Sequence, residues 1–216
     1  MQRFVLSSGL AALLAGAAPA HAADGDRPDW FVKVAATRLT LADDIELNVG
    51  GAPVPNAGMN TKPHVTPTVH VGRFVADNVA VAFTGGLPPH ISIEGRDALQ
   101  PFGKLAETTY GPATLMVQYH LNRDGTVRPY VGVGACYMLV FSAKDGSFQD
   151  VEIDDDLAPS LEAGVEFMVT KRHGIFLEAK KAFLRTEARG NFGGAPVAAD
   201  IRLDPWAISA GATIHF

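Results

Sequence analysis

The chain has 216 residues, with 18 basic and 23 acidic side chains and a net charge of −5. That balance excludes a basic nucleic-acid footprint, so no nucleic-acid partner is expected, and no stretch holds the ~18 consecutive apolar residues of a spanning helix. A single cysteine, Cys136, excludes an internal disulfide, while 22 glycines and 14 prolines suit many short, turn-linked strands.

The first 22 residues read as a signal peptide. Arg3 supplies a positive start, residues 4–18 form an apolar core ended by Pro19, and Ala20-His21-Ala22 fits a small-x-small cleavage site. Cleavage there leaves residues 23–216 as one domain with a net charge of −6, one cation (Arg3) fewer than the whole chain. Eight period-two segments follow, over residues 30–37, 65–72, 79–83, 113–121, 130–141, 161–169, 175–183 and 206–216. Each puts large apolar side chains on one face and small or polar ones on the other, the mark of a β-strand with two unlike faces. The last is the clearest. Trp206, Ile208, Ala210, Ala212, Ile214 and Phe216 alternate with Ala207, Ser209, Gly211, Thr213 and His215.

The connections alternate strictly between long and short. Residues 41–63, 88–110, 142–156 and 188–200 are long, whereas 75–78, 122–127 and 170–173 are tight turns. An up-and-down barrel with long outer loops, short periplasmic turns and periplasmic termini produces this order. The expected fold is therefore all-β, an eight-stranded antiparallel transmembrane barrel whose even strand count leaves no edge unpaired in lipid. A soluble lipocalin-type barrel alternates equally well. The nearly uncharged aliphatic face, and tryptophans near strand ends where interfacial belts belong, favour the outer membrane.

Several motifs resemble the OmpW family of small outer-membrane proteins. Gly111-Pro-Ala-Thr-Leu-Met-Val-Gln-Tyr-His-Leu121 is similar to the family's Pro-Pro-Thr-Leu, Gln-Tyr-His-Phe strand, and Arg128-Pro-Tyr-Val-Gly-Val-Gly-Ala-Cys-Tyr137 to its Arg-Pro-Tyr-x-Gly-x-Gly-x-Asn-Tyr strand. Leu203-Asp-Pro-Trp206 resembles the opening of its last strand, and Leu87-Pro-Pro-His90 its Pro-Phe-x-His. Leu121, Cys136 and Pro89 depart from the pattern. The resemblance implies a narrow, largely apolar lumen and a non-enzymatic conduit for small hydrophobic molecules, some members being associated with alkane uptake.

The small or polar faces name the expected lumen residues: Met116, Gln118, Tyr130, Gly132, Gly134, Met138, Glu162, Glu166, Glu178, Lys180, Ser209 and Thr213. The four charged ones read either as a polar gate or, in the reading favoured here, as an ion-pair cluster that fills a barrel with little spare room. Tyr130, Met116, Met138, Gly132 and Gly134 are the expected apolar conduit, with glycine leaving width. Pro67 costs its strand a ladder hydrogen bond and marks a candidate lateral opening.

Other groups carry weaker chemistry. Glu152, Asp154, Asp155 and Asp156 are dense enough for a divalent cation but lack a calcium-loop spacing, and no histidine pair has zinc spacing, so no metal or cofactor is expected. His90-Ile-Ser92 has the look of a lipid A hydrolase pair without an identifiable acid, so no catalytic residue is assigned. Expected partners are outer-membrane lipid, lipopolysaccharide and small hydrophobic solutes, with the oligomeric state left open. The alternative function is a structural or receptor barrel whose loops meet phage, toxin, lipopolysaccharide or host surfaces.

Overall fold

The computed structural model describes residues 27–42 and 44–216, so the expected signal segment lies outside the described residues. Fifteen strands occur among them: β1 (Trp30–Thr40), β2 (Asp44–Val49), β3 (Ala52–Pro53), β4 (Ala57–Thr61), β5 (His64–Ala76), β6 (Val79–Gly86), β7 (His90–Asp97), β8 (Lys104–His120), β9 (Val127–Asp145), β10 (Gln149–Ile153), β11 (Asp156–Met168), β12 (His173–Ala182), β13 (Arg185–Phe192), β14 (Ala195–Arg202) and β15 (Trp206–His215). Eight of them close a circuit, β1-β5-β6-β8-β9-β11-β12-β15, every pair antiparallel. These are the eight strands expected from the alternation. The last closes on the first, with Phe31 opposite His215 and Thr40 opposite Trp206.

The two faces sort as the alternation requires. Val34, Leu115, Val133 and Ile175 are each more than half exposed on the outer wall, whereas Lys33, Glu166, Thr213 and His120 have no exposed surface within the lumen. Apolar exposure on this scale is stable only against lipid. Trp30 and Trp206 bracket that wall. Trp206 lies across from Thr40, ten residues along β1 from Trp30, which is about 33 Å of strand and about 25 Å of height at a typical barrel tilt. Each ring carries a cation, Arg73 at 5.4 Å from Trp30 and Lys181 at 5.3 Å from Trp206.

The expected outer loops are built structure. Residues 41–63, 88–110, 142–156 and 188–200 contain β2, β3, β4, β7 and β10 and most of β14, with β8, β9 and β13 extended into them. One sheet runs β10-β13-β14-β2-β3, while β4 and β7 extend the barrel sheet beside β8. Between them lies an apolar cluster of Leu47, Met59, Leu99, Leu105, Val197 and Ile201. Burial of those side chains from both layers holds the excursion upright above the barrel mouth.

Candidate functional site

The periplasmic half of the lumen is full. Lys33 on β1 places Nζ 2.9 Å from Glu166 of β11, whose other carboxylate oxygen lies 2.9 Å from His215 Nε2 on β15. The same ammonium sits 4.0 Å from the Tyr130 ring centroid and 5.1 Å from that of Phe176. One level up, Lys180 Nζ is 3.2 Å from Glu162 and 3.4 Å from Glu178. Gln118 donates to Glu162 (2.7 Å) and the Tyr130 hydroxyl to Glu178 (2.8 Å). Below, Phe31, Phe74, His120 and His215 form an aromatic layer. Arg123 closes the base by lying over Phe74 at 3.7 Å and donating to the carbonyls of Pro28 and Asp77. Two buried cations meet three buried carboxylates, each within salt-bridge distance of an opposite charge, although Lys33 Nζ, Glu166 Oε1 and Glu162 Oε2 make no aligned hydrogen bond.

This filling corrects two expectations. The lumen is not largely apolar in its lower half, because charge pairing occupies it. Nor do the glycines leave width. A Cβ at Gly132 would stand 2.6 Å from Glu162 Oε1, one at Gly134 2.1 Å from the Leu115 carbonyl oxygen on the neighbouring strand, and one at Gly164 2.4 Å from the Tyr130 hydroxyl. Gly132 and Gly164 make room for neighbouring side chains and Gly134 for the close approach of the next strand's backbone, rather than for a solute.

Above the ion pairs the lumen opens into a cavity of about 60 Å³. Glu178, Lys180 and His70 form its floor; Leu39, Cys136, Ala182, Ala207, Thr68 and Ser209 are among its walls. Thr37 ties the wall together through Thr68 (2.6 Å) and Ser209 (2.8 Å). An apolar cluster of Ile91, Tyr110, Cys136, Met138, Ala182 and Leu184 continues upward. Two further cavities of about 40 Å³ each follow, sharing Met59, Ile93, Ile153 and Ile201 between them. Three small cavities thus lie between the extracellular sheet and the middle of the barrel, the lowest separated from the other two by that packed apolar cluster.

The wall beside the lowest cavity is incomplete. The β6–β8 ladder stops at Thr84–Thr114; the next backbone bond is Tyr110 N–H to the Pro89 carbonyl at 3.3 Å, and β7–β8 pairing follows from His90–Thr109. Pro88, Pro89 and Pro112 fall in that interval, and none has an N–H to offer a ladder. Pro67 borders the same place from β5. Its carbonyl accepts Leu87 N–H at 3.2 Å, while the Leu87 carbonyl is met by the Thr66 hydroxyl at 2.8 Å. Pro67 itself, expected as a lateral opening, is paired to Ala36 on one side and bonded to Leu87 on the other, and the gap in pairing lies one strand over, between β6 and β8.

The structure gathers Gln118, Tyr130, Glu162, Glu166, Glu178 and Lys180 in the charged plug and places Met116 and Thr213 inward, fully buried. Ser209 lines the lowest cavity and Met138 the middle one. Lys33, His70 and the extracellular cluster were missing from the expected set. Lys33 shares its face of β1 with Phe31 and Thr37, so its inward direction was legible, but its partner on β11 was not.

His90 does acquire an acid, Glu107, with Nε2 at 3.4 Å, yet its Nδ1 lies 3.0 Å from Thr109 Oγ1. Both ring nitrogens are engaged, so Ser92 receives no base. Glu107 also accepts from Lys104 at 2.8 Å, a hydrogen bond that holds its carboxyl below the usual range. Among the described residues no cluster of three or more His, Cys, Asp or Glu could hold a metal.

The sequence model of the OmpW family matches residues 27–216. Outer membrane protein AlkL of Ectopseudomonas oleovorans is 31% identical over 92% of this chain and 86% of its own. Its structure in lipid bilayers covers 93% of this chain and 95% of that one, at 30% identity and a TM-score of 0.73. The dibenzothiophene metabolism operon protein PahQ of Pseudomonas aeruginosa is 26% identical over 82% of this chain and 83% of its own. OprG of the same species, 20% identical, shares the fold with a TM-score of 0.81 over 88% of this chain and 96% of that one. A lipid-facing closed barrel with these matches resides in the outer membrane. The chain belongs to the OmpW family of outer-membrane β-barrels.

Proposed function

We propose that the protein is a non-enzymatic conduit that brings small hydrophobic solutes across the outer membrane and releases them sideways into the bilayer. One observation carries the reading: the lowest cavity has a charged floor at Glu178 and Lys180, and its side wall includes Gly86, Leu87 and Pro112 at the break between β6 and β8. An apolar solute in that cavity gains nothing by crossing buried ion pairs, which would lose partners to admit it. The lateral break leads instead to hydrocarbon, where it is soluble. The name of PahQ supports the substrate class, since dibenzothiophene is a flat, apolar, sulfur-containing ring system. AlkL, similar over nearly the whole chain, supports a membrane-embedded mode of action.

The test is flux of an apolar solute into liposomes carrying the purified barrel, compared with a Ser209→Phe variant. Ser209 is buried in the wall of the lowest cavity, and a phenyl ring there exceeds the free space. Flux above protein-free liposomes that falls severalfold in the variant supports the conduit. No flux above protein-free liposomes removes it and leaves the extracellular surface as the working part.

A further inference from the structure

Lys180 reaches the open seam of the barrel from the opposite wall. It stands on β12, four strands from β6 in either direction around the closed circuit. Its Nζ crosses the lumen and donates to Thr84 Oγ1 of β6 and Thr114 Oγ1 of β8, at 3.1 Å each. Those threonines face each other as the last register pair of β6 and β8 before the gap. Above them, among the described residues, Gly85 and Gly86 keep only their β5 partners, and Gly111, Pro112 and Ala113 only their β9 partners. Three residues of strand leave about 10 Å of unpaired wall.

Of the inward β6 side chains on this seam, Ala80, Ala82 and Thr84, only the threonine can form a hydrogen bond across the lumen. A ladder opens first at its free end, where one pair gates the next. Here both members of the end pair accept from one ammonium, so they part only if one of them loses a charge-assisted bond away from water. The ammonium is itself fixed. Glu162 and Glu178 stand 3.2 and 3.4 Å from it, held in turn by Gln118 and the Tyr130 hydroxyl at 2.7 and 2.8 Å. Lys180, Glu162, Glu178 and Thr114 are all buried. The same ammonium belongs to the floor of the lowest cavity, whose lining includes Thr84 and Thr114 as well as Gly86, Leu87 and Pro112 of the gap.

We propose that Lys180 is the positioning residue of the lateral exit: by pinning Thr84 to Thr114 it ends the β6–β8 gap at the cavity floor and so fixes the girth of the solute that leaves. The proposal rests on the sideways release proposed above and adds a specificity to it. Slender, unbranched apolar molecules pass, and branched ones of equal carbon number are held back. The buried charge then serves the opening directly, since the carboxylates that hold Lys180 also hold the lower edge of the exit.

The full barrel in lipid vesicles is compared with Thr84→Val with Thr114→Val, which keeps the shape of both side chains and every charge but removes both acceptors. Backbone amide exchange at residues 82–84 and 114–116 is expected to quicken about tenfold, the effect of losing a charge-assisted hydrogen bond, while residues 131–133 and 163–165 of the β9–β11 ladder keep their rate. The unaltered protein is expected to pass octane severalfold faster than isooctane, and the valine pair to lose most of that discrimination. Thr84→Ser with Thr114→Ser, which keeps both hydroxyls, restores slow exchange. Thr114→Val alone carries the same expectations where the double variant fails to assemble. Unchanged exchange at the seam overturns the proposal, as does equal quickening of both ladders or quickening in the serine pair. Flux of both octanes without discrimination, or discrimination kept in the valine pair, overturns this role and leaves the conduit standing. No flux of either solute through the unaltered barrel removes the conduit and this role with it.

Discussion

Lys33 is the side chain on which the lower lumen turns. Its ammonium faces Glu166 at 2.9 Å and three aromatic rings, with no exposed surface. Lys33→Met leaves Glu166 with His215 alone, and stranding a buried carboxylate in this way costs about 3–5 kcal/mol. Urea unfolding in lipid vesicles is expected to register that loss, and Lys33→Met with Glu166→Met to recover most of it. Which residues face inward was legible from alternation alone, since Glu162, Glu166, Glu178 and Lys180 share the small-residue face of their strands. Which of them meet was not. Lys33 and Glu166 are far apart in sequence, and their encounter depends on barrel shear, which no local pattern encodes. The Cys136 departure also gains a place, as a buried thiol in the wall of the lowest cavity where an amide would be costly to leave unpaired.

At the level of elements, the eight barrel strands were legible because each repeats its period over eight or more outward and inward positions or closes with a recognisable turn. The extracellular strands were not, although Ile45, Leu47 and Val49 alternate, as do Val197, Ala199 and Ile201. Runs this short compete with turn-forming glycines and asparagines nearby, and their apolar face has meaning only once β14 pairs with β2. That packing carries weight. Leu47→Ala, at a position 3% exposed, is expected to weaken the extracellular sheet by about 2–5 kcal/mol. Limited proteolysis should then cut residues 44–61 faster while the barrel keeps its heat-modifiable migration. The ladder break makes a second prediction. Pro112→Val restores an N–H to β8 within the unpaired interval, and closing that interval is expected to reduce apolar-solute flux severalfold. Unchanged flux would move the exit away from the β6–β8 break.

For the whole molecule, the distance between the two tryptophans fixes which residues see hydrocarbon. Val133 lies within that band on β9, 59% exposed, so Val133→Arg is expected to cost about 2–4 kcal/mol in reversible unfolding from lipid vesicles. A lumenal substitution would follow no such depth rule. The buried ion pairs, the aromatic layer and the Arg123 closure also have an electrical consequence. Planar bilayers holding the barrel should show no unitary current steps, because hydrated ions find no continuous water column to follow. A cell can then carry many copies of this protein without leaking salt, sugar or charged antibiotics through any of them. Arg123 and its two carbonyl partners at the periplasmic base thus act as insulation, keeping the envelope tight to everything that water dissolves.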